Sequence, residues 1–305
     1  MYKAGYVSIV GKPNAGKSTL INTLVGFKVA IATAKPQTTR FNIKGILTTD
    51  TSQIIFTDTP GVHIPKTMVG KYMMNGVNTA VKNTDVIVYL VDASKPKIDE
   101  ASEKIMKDIA KLRKKTILVI NKVDKVEKEK LFNIITMYNE HAKEYGIKFV
   151  ENIPISAYKN DGLDILIKTI EDNLDECEKI YDEDEFTDMT EREIVEENIR
   201  EKILNNFSQE IPHGINVVVD SFKERTNVNG ALVYDINATI ICSKDSHKPI
   251  IIGKNGSKLN HIRNLAKIDL EKILSTKINL KLWVKVRAGW MDNESYFSNI
   301  KSRVK

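Results

Sequence analysis

The sequence predicts an α/β domain with a mainly parallel sheet and helices on both faces, followed by a smaller α+β domain. Three observations carry this. Over residues 1–175, short β-rich runs alternate with amphipathic helical stretches. One of those runs, "VIVYLV" (86–91), has no polar interruption, as a strand buried on both faces requires. After residue 190 the pattern changes to helix, strand, strand, helix, strand. The predicted boundaries are 1–175, an acidic linker over 176–189, and 190–305.

In the first part the predicted strands are "YVSIV" (6–10), "IIFT" (54–57), "VIVYLV" (86–91), "TILVI" (116–120) and "KFVENIPIS" (148–156). The helices between them present apolar residues at helical spacing. One face carries Ile105, Ile109 and Leu112. A second carries Leu131, Ile134, Ile135 and Tyr138, and a third Leu163, Leu166, Ile167 and Ile170. The acidic stretch at 175–190 lacks a clear period and reads as a linker.

In the second part, Thr190 and Glu193 make a capping-box start for "TEREIVEENIREKILNNF". "INVVVDSF" (215–222) and "ALVYDINATIIC" (231–242) read as a hairpin across "TNVNG". "KPIII" is short and apolar. Residues 257–274 are helical, with Leu259, Ile262, Leu265 and Ala266 inward. The last strand alternates strictly, with Ile278, Leu280, Leu282, Val284 and Val286 on one face. Trp283 lies on the other face among lysines. Packing against a helix or the other domain is expected for it, ahead of stacking on a base.

Composition excludes several classes. With 42% hydrophobic and 28% charged residues in 305, the chain is an ordinary globular protein. No apolar run approaches the roughly 18 residues of a membrane span. Two cysteines, Cys177 and Cys242, make neither a disulfide framework nor a zinc site and fit a reducing compartment. The net charge of +6 is uneven, with acids over 171–197 and bases over 244–305. That polarity points to a polyanion partner for the C-terminal part.

"GKPNAGKST" follows the first strand and opens a helix, the context a P-loop requires. Gly11 and Gly16, with Pro13 and Ala15 in the loop between them, let backbone N–H groups converge on phosphate oxygens at a helix N-terminus. Lys12, Asn14 and Thr19 complete the loop. Lys17 is placed to reach the β- and γ-phosphates, and Ser18 to bind Mg²⁺. "NKVD" (121–124) follows the fourth of these strands. The Asp124 carboxylate can accept from guanine N1–H and the 2-amino group. Adenine offers no such donor pair, so GTP is favoured over ATP. Asn121 would hold guanine N7 and tie this loop to the P-loop, and the Lys122 stem would cover the base. Ser156 and Ala157 in "ISAYK" place a backbone N–H near guanine O6.

"DTPG" ends the strand at 54–57. Asp58 would hold Mg²⁺, and the Gly61 N–H would sense the γ-phosphate, with Thr59, Pro60 and Val62 around it. Thr39 in "KPQTTRF" is the preferred third Mg²⁺ ligand, with Thr38 its rival. Lys17, Thr39 and Gly61 are the candidates for the chemical step. Segments 30–44 and 61–80 are then switches that order on GTP. These motifs in this order resemble the translation-factor-like class of GTPases. Val62 stands where signalling GTPases place a water-orienting glutamine, and no arginine finger is identifiable in cis. An arginine finger is worth roughly 10³–10⁵ in rate where one is used. Slow intrinsic turnover is expected. "PNAGKS" is similar to a subset of GTPases in which Asn14 helps hold K⁺; the alternative is that Asn14 only shapes the loop.

"IIIGKNGSKL" (250–259) has only G-x-x-G, without the spacing or the G-K-[ST] ending of a P-loop. In a chain with 15 glycines that spacing alone carries no information. Its surroundings do: two strands before, a basic helix and a last strand after. This order resembles a type II KH domain, in which the GxxG backbone meets about four nucleotides of a single strand. Gly253, Asn255 and Gly256 allow that approach, with Lys254, Lys258 and Arg263 adding charge. Ile250, Ile251 and Ile252 would line an apolar floor under the bases.

A GTPase domain joined to such a KH domain resembles the bacterial Era family over nearly the whole chain. The specific parts are "GKPNAGKSTLIN", "QTTR", "DTPGVH", "NKVD", "PISA", "IIIGKNGSKL" and "LKLWVKVRAGWMDN". One departure is Asn255, where a further glycine is expected. The resemblance implies GTP/GDP and Mg²⁺ as ligands, and binding of small-subunit ribosomal RNA near its 3′ end. It implies a role in maturing that subunit and a cytoplasmic location with some peripheral membrane association. A monomer is expected. The alternatives are a GTPase acting on another RNA, such as tRNA, or a cell-cycle switch whose C-terminal domain binds protein.

Overall fold

A computed structural model describes residues 1–31, 43–58, 84–207 and 214–292 of the chain. The chain divides into two compact units, the first ending at Asp188 and the second resuming at Met189.

The first unit is built on a six-stranded sheet of order β2-β3-β1-β4-β5-β6. Its strands are β1 (Lys3–Gly11), β2 (Ile43–Thr48), β3 (Ser52–Asp58), β4 (Val86–Asp92), β5 (Lys115–Asn121) and β6 (Asn152–Pro154). All pairings are parallel except β2 with β3. The helices are α1 (Lys17–Val25), α2 (Glu100–Leu112), α3 (Lys128–Glu144) and α4 (Leu163–Asn173). Ile87, Tyr89, Val91, Leu118 and Ile120 pack with α2 and α3 through Ile105, Met106, Ile109, Ile134 and Tyr138. The alternate residues Val86, Val88, Leu90, Ile117 and Val119 are equally buried, so both faces of the sheet are covered. The expected strand over 148–156 contracts to 152–154, since Phe149 instead packs into the core.

β2 is not among the predicted strands. Gly45 interrupts its apolar pattern because α1 packs directly on it. A Cβ there would lie 2.7 Å from Ile21 and 2.9 Å from Val25. The acidic segment at 176–188 lies along this edge of the first unit. Gln53, fully buried, accepts from the Ile180 and Tyr181 N–H groups (2.8 and 2.9 Å) and donates to Tyr181 O (2.9 Å). Ile46 N–H donates to Phe186 O, Phe27 stacks on Phe186, and Lys44 pairs with Asp188 at 3.0 Å.

The second unit is a three-stranded sheet, β7 (Ile215–Thr226), β8 (Leu232–Cys242) and β9 (Lys277–Val286), in that order. β7 and β8 are antiparallel, β8 and β9 parallel. The hairpin turns on Asn227, whose side-chain oxygen accepts from the Asn229 and Ala231 N–H groups, with Gly230 at φ 78°. α5 (Glu191–Asn206) opens with the predicted capping box, in which Thr190 N–H donates to Glu193 at 2.7 Å. α6 (His247–Ile252) is the segment "KPIII" with its N-terminal flank, and α7 (Ser257–Ile273) follows the glycine loop. Val195, Ile199, Ile203, Ile236, Ile240, Ile262, Ala266, Leu270 and Leu280 form its core. On β9 the alternation holds: Ile278, Leu280 and Val284 are buried, while Trp283 on the opposite face is 59% exposed, with no helix over it among the described residues.

Candidate nucleotide site and nucleic-acid interface

The P-loop runs from the end of β1 into α1. Gly11 has no room for a side chain, since a Cβ would lie 2.3 Å from Leu90 O. Gly16 sits at φ 104°, and a Cβ there would meet the Asn121 amide nitrogen at 2.3 Å. Asn14 takes φ 64°, a left-handed conformation that asparagine tolerates better than most residues. Pro13 and Asn14 form the exposed tip and Ala15 is buried. Ser18 and Thr19 lie in the first turn of α1, half-buried. The Lys17 amine is buried and donates to the loop carbonyls of Gly11 and Lys12, each at 3.1 Å. It is thus already aimed into the cradle that the backbone encloses.

The Lys12 side chain, given no separate role by the motif, is held by the residues leading into α2. It donates to Lys97 O (2.8 Å) and pairs with Asp99 (3.1 Å), away from the loop interior. What Lys12 offers a phosphate is therefore its backbone. Asp99 is also the N-cap of α2, accepting from Ser102 N–H. Burial would raise its carboxyl pKa, but the Ser102 and Lys12 hydrogen bonds prevail and hold it low.

Asn121 joins this loop to the predicted guanine loop. It is buried, donates to Ala15 O (2.9 Å), and accepts from the Lys122 and Ala157 N–H groups (2.8 and 3.1 Å). Lys122 sits at φ 66°, with its amine on Asn14 O (2.7 Å) and Asp92 (2.6 Å). Asp124 is exposed, with one carboxylate oxygen held by the Ser156 hydroxyl at 2.6 Å. The Ser156 N–H, expected near guanine O6, is committed to Asp161 O at 3.0 Å. Ser156 instead works through its hydroxyl, which orients the carboxylate. The Ala157 N–H must share its Asn121 partner to meet O6. Asp92 and Asp99 were not candidates from the sequence, because an aspartate at a strand end or a helix N-cap carries no signal of which distant side chain it faces.

The Mg²⁺ set is only partly within view. Asp58 closes β3 opposite Ile9, its backbone alone being described. Thr38, Thr39, Thr59, Pro60, Gly61 and Val62, and most of the two switch segments, lie outside the described residues. No group of three or more candidate metal ligands occurs among the described residues.

In the second unit, Gly253 takes φ 72° and ψ 174°, Asn255 φ 52° and Gly256 φ 76°. The missing glycine at 255 thus costs little, since asparagine enters this left-handed region readily. Lys254, Asn255 and Lys258 are exposed and Arg263 half-buried. The Lys258 amine lies over the Phe207 ring at 5.6 Å. The isoleucine floor is corrected in one member. Ile251 is fully buried in the core, because α6 turns His247 and Ile251, one helical turn apart, inward. Only Ile250, 42% exposed, and the partly buried Ile252 remain accessible.

Comparison with known proteins follows the same division. A family model described as a 50S ribosome-binding GTPase matches residues 6–122, and a KH-domain model matches residues 210–291. "GTPase Era" of Clostridioides difficile (strain 630) is 46% identical over 300 residues, 98% of each chain. The same-named protein of Ruminiclostridium cellulolyticum is 43% identical over 98% of this chain and 97% of its own. A crystal structure of Era with MgGDPNP and nucleotides 1506–1542 of 16S ribosomal RNA matches at TM-score 0.91, 37% identity and 98% coverage of both chains. An Aquifex aeolicus Era variant bound to GDP·AlF₄⁻ matches at TM-score 0.90 and 37% identity, covering 97% of this chain and 98% of that one. With a GTPase unit and a KH unit in one order, and this identity along almost the full length, the chain belongs to the Era family of GTPases.

Proposed function

We propose that this chain is a GTP-hydrolysing switch that binds small-subunit ribosomal RNA near its 3′ end and assists maturation of that subunit. One observation carries the nucleotide half: the buried Asn121 ties the P-loop to a loop whose exposed Asp124 is held for guanine by Ser156. Family membership and the 16S RNA bound to the Era structure support the RNA half.

The residues divide the work. Gly11 to Ser18 enclose the phosphates, with the Lys17 amine leaving its two carbonyl partners for phosphate oxygens. Lys122 covers the base and Asp124 selects guanine. Ser18, Thr39 and Asp58 would hold Mg²⁺, which neutralises charge on the phosphate oxygens when bound. Gly253 to Gly256 admit a single-stranded backbone, with Lys254, Lys258 and Arg263 meeting its phosphates. Segments 30–44 and 61–80 respond to the γ-phosphate. By linkage, RNA then changes GTP affinity by the same factor that GTP changes RNA affinity. K⁺ at Asn14, a monomeric state and cytoplasmic location with peripheral membrane association rest on the resemblance alone.

The test is RNA crosslinked to the protein in its GTP and GDP states, then sequenced. Recovery of the 3′ end of small-subunit RNA is expected, and its absence from both states overturns the reading. Affinity for that RNA should fall steeply with salt as counterions are released.

A further inference from the structure

Asp92 is the last residue of β4, and in the parallel register it lies opposite Asn121, the first residue of the guanine loop. Ala93 N–H also donates to Asn121 O at 2.8 Å, so the two strand ends are locked together. From this position the carboxylate reaches the Lys122 amine at 2.6 Å. The pair is largely shielded, with the Asp92 side chain 13% and the Lys122 side chain 24% exposed.

We propose that Asp92 is a positioning residue for guanine-nucleotide binding: it fixes the Lys122 side chain and thereby the spacing of the guanine loop from the P-loop. The inference rests on the reading that Asn121, Lys122 and Asp124 form the guanine site. Three facts argue for it. Asp92 is itself immobilised, its other oxygen accepting from the Ser94 N–H (2.9 Å) and hydroxyl (2.6 Å). The Lys122 backbone is held at φ 66°, where a lysine rests only when its surroundings impose it. The Lys122 amine has one further partner, Asn14 O at 2.7 Å, on the exposed tip of the P-loop. An amine held only by that tip would follow the tip's motion, and the lysine stem would no longer lie fixed over a base. Burial alone would raise the Asp92 pKa, but hydrogen bonds from Lys122 and Ser94 hold it low, so the carboxylate is charged.

The experiment is dissociation of a fluorescent GDP from the full chain carrying Asp92→Asn, Lys122→Met or both. Asp92→Asn keeps the shape and removes the charge. It should speed GDP release about tenfold, the order expected when a charge-assisted hydrogen bond on a binding residue is lost. The double variant should match Lys122→Met within about twofold, because Asp92 acts through Lys122. Release unchanged in Asp92→Asn overturns the inference, as does a full Asp92→Asn effect persisting beside Lys122→Met. Ser94→Ala loosens Asp92 without touching its charge and should give a smaller acceleration. Should Asp92→Asn fail to fold, wild-type release in Ser94→Ala overturns the inference alone. Asp124→Asn separates the two levels. If it turns preference toward xanthosine diphosphate while Asp92→Asn is silent, only the role of Asp92 falls. If it leaves guanine preference intact, the guanine-site reading falls first.

Discussion

Alanine at Gly253 and alanine at Gly256 should have different consequences, although the two glycines frame one motif. Gly253 sits at φ 72° and ψ 174°, a region reached essentially only by glycine, where another residue costs about 1–3 kcal/mol. Its Cβ would also lie 2.8 and 2.9 Å from the Lys258 side chain and 3.0 Å from the Lys258 backbone nitrogen. That nitrogen belongs to the first turn of α7 and cannot yield without moving the helix. Crowding of this kind adds about 1–3 kcal/mol, so Gly253→Ala should cost roughly 2–6 kcal/mol. Gly256 is left-handed at φ 76° and ψ 9°, and its Cβ would meet nothing nearer than Asn260 at 3.8 Å. Only the left-handed penalty remains, about 1–2 kcal/mol. Urea unfolding followed by tryptophan fluorescence resolves the difference. Both tryptophans, Trp283 and Trp290, lie in the second unit, so the signal reports that unit. Trp290 is buried and donates to Gly214 O, which makes it sensitive to loss of packing. Equal destabilisation by the two variants, or a larger effect at Gly256, would refute the backbone path assigned to the loop. Since Gly256→Ala should leave the unit folded, any RNA affinity it loses belongs to the interface.

Ser156→Ala removes the hydroxyl that orients Asp124 and should weaken GDP binding by about 1 kcal/mol with the fold unchanged, read by titration calorimetry. Gln53→Leu deprives two N–H groups and one carbonyl of the acidic segment of their partner. Hydrogen exchange at residues 180–188 should accelerate selectively, and uniform acceleration across the first unit would count against the segment's being held there. The Asp99 carboxyl is held below its ordinary pKa, so its contribution to stability is present above about pH 4 and lost as pH falls through the lower, folded value. Asp99→Asn should therefore lessen the slope of stability against pH in acid unfolding below about pH 4. Turnover measured in KCl and in NaCl should be faster in KCl if Asn14 helps hold a monovalent cation, and equal rates would leave Asn14 a loop-shaping residue.

How much was legible in the sequence depends on whether the information was local. The P-loop was legible because its string lies in consecutive residues between a strand and a helix, although what crowds its glycines, Leu90 O at Gly11 and the Asn121 amide at Gly16, lies far along the chain. The capping box at Thr190 was legible for the same reason, both partners lying within one turn. Strand β4 was legible because burial on both faces leaves no polar residue in its middle. The partners of the loop lysines were not. Lys12 and Lys122 sit within recognisable motifs, yet what their amines hold, Asp99 and Asp92, is 87 and 30 residues away along the chain. No spacing rule reaches that far, and aspartates are common at strand and helix ends for reasons unrelated to ligands. Ile251 failed differently. The three isoleucines of "KPIII" follow one another with no polar residue among them, so periodicity cannot say which one turns inward.

The acidic segment shows the same limit most sharply. Its composition is that of a solvated linker. Side chains help to hold it, Phe186 on Phe27 and both Tyr181 and Asp188 on Lys44. Its anchoring at Gln53 and Ile46 is backbone: Ile180 and Tyr181 to Gln53, and Phe186 O to Ile46 N–H. Backbone groups are identical in every sequence, so such docking leaves no trace in residue type. The trace is on the receiving side. Gln53 is a fully buried amide in a strand between the apolar cores of two faces, and a buried amide needs partners for both its nitrogen and its oxygen. One partner, the Thr48 hydroxyl, lies on the neighbouring strand. The rest had to come from outside the sheet, and residues 180–181 are what supplies them. A glutamine amid "SQIIFT" is therefore a better signal of an added edge segment than anything within the segment itself. Its consequence is mechanical. Lys44 and Ile46, which grip this segment, stand on β2, whose start is the end of the first predicted switch, and the segment leads at once into α5 of the KH unit. Lys44 thus joins one end of a predicted switch to the segment that continues into the second unit.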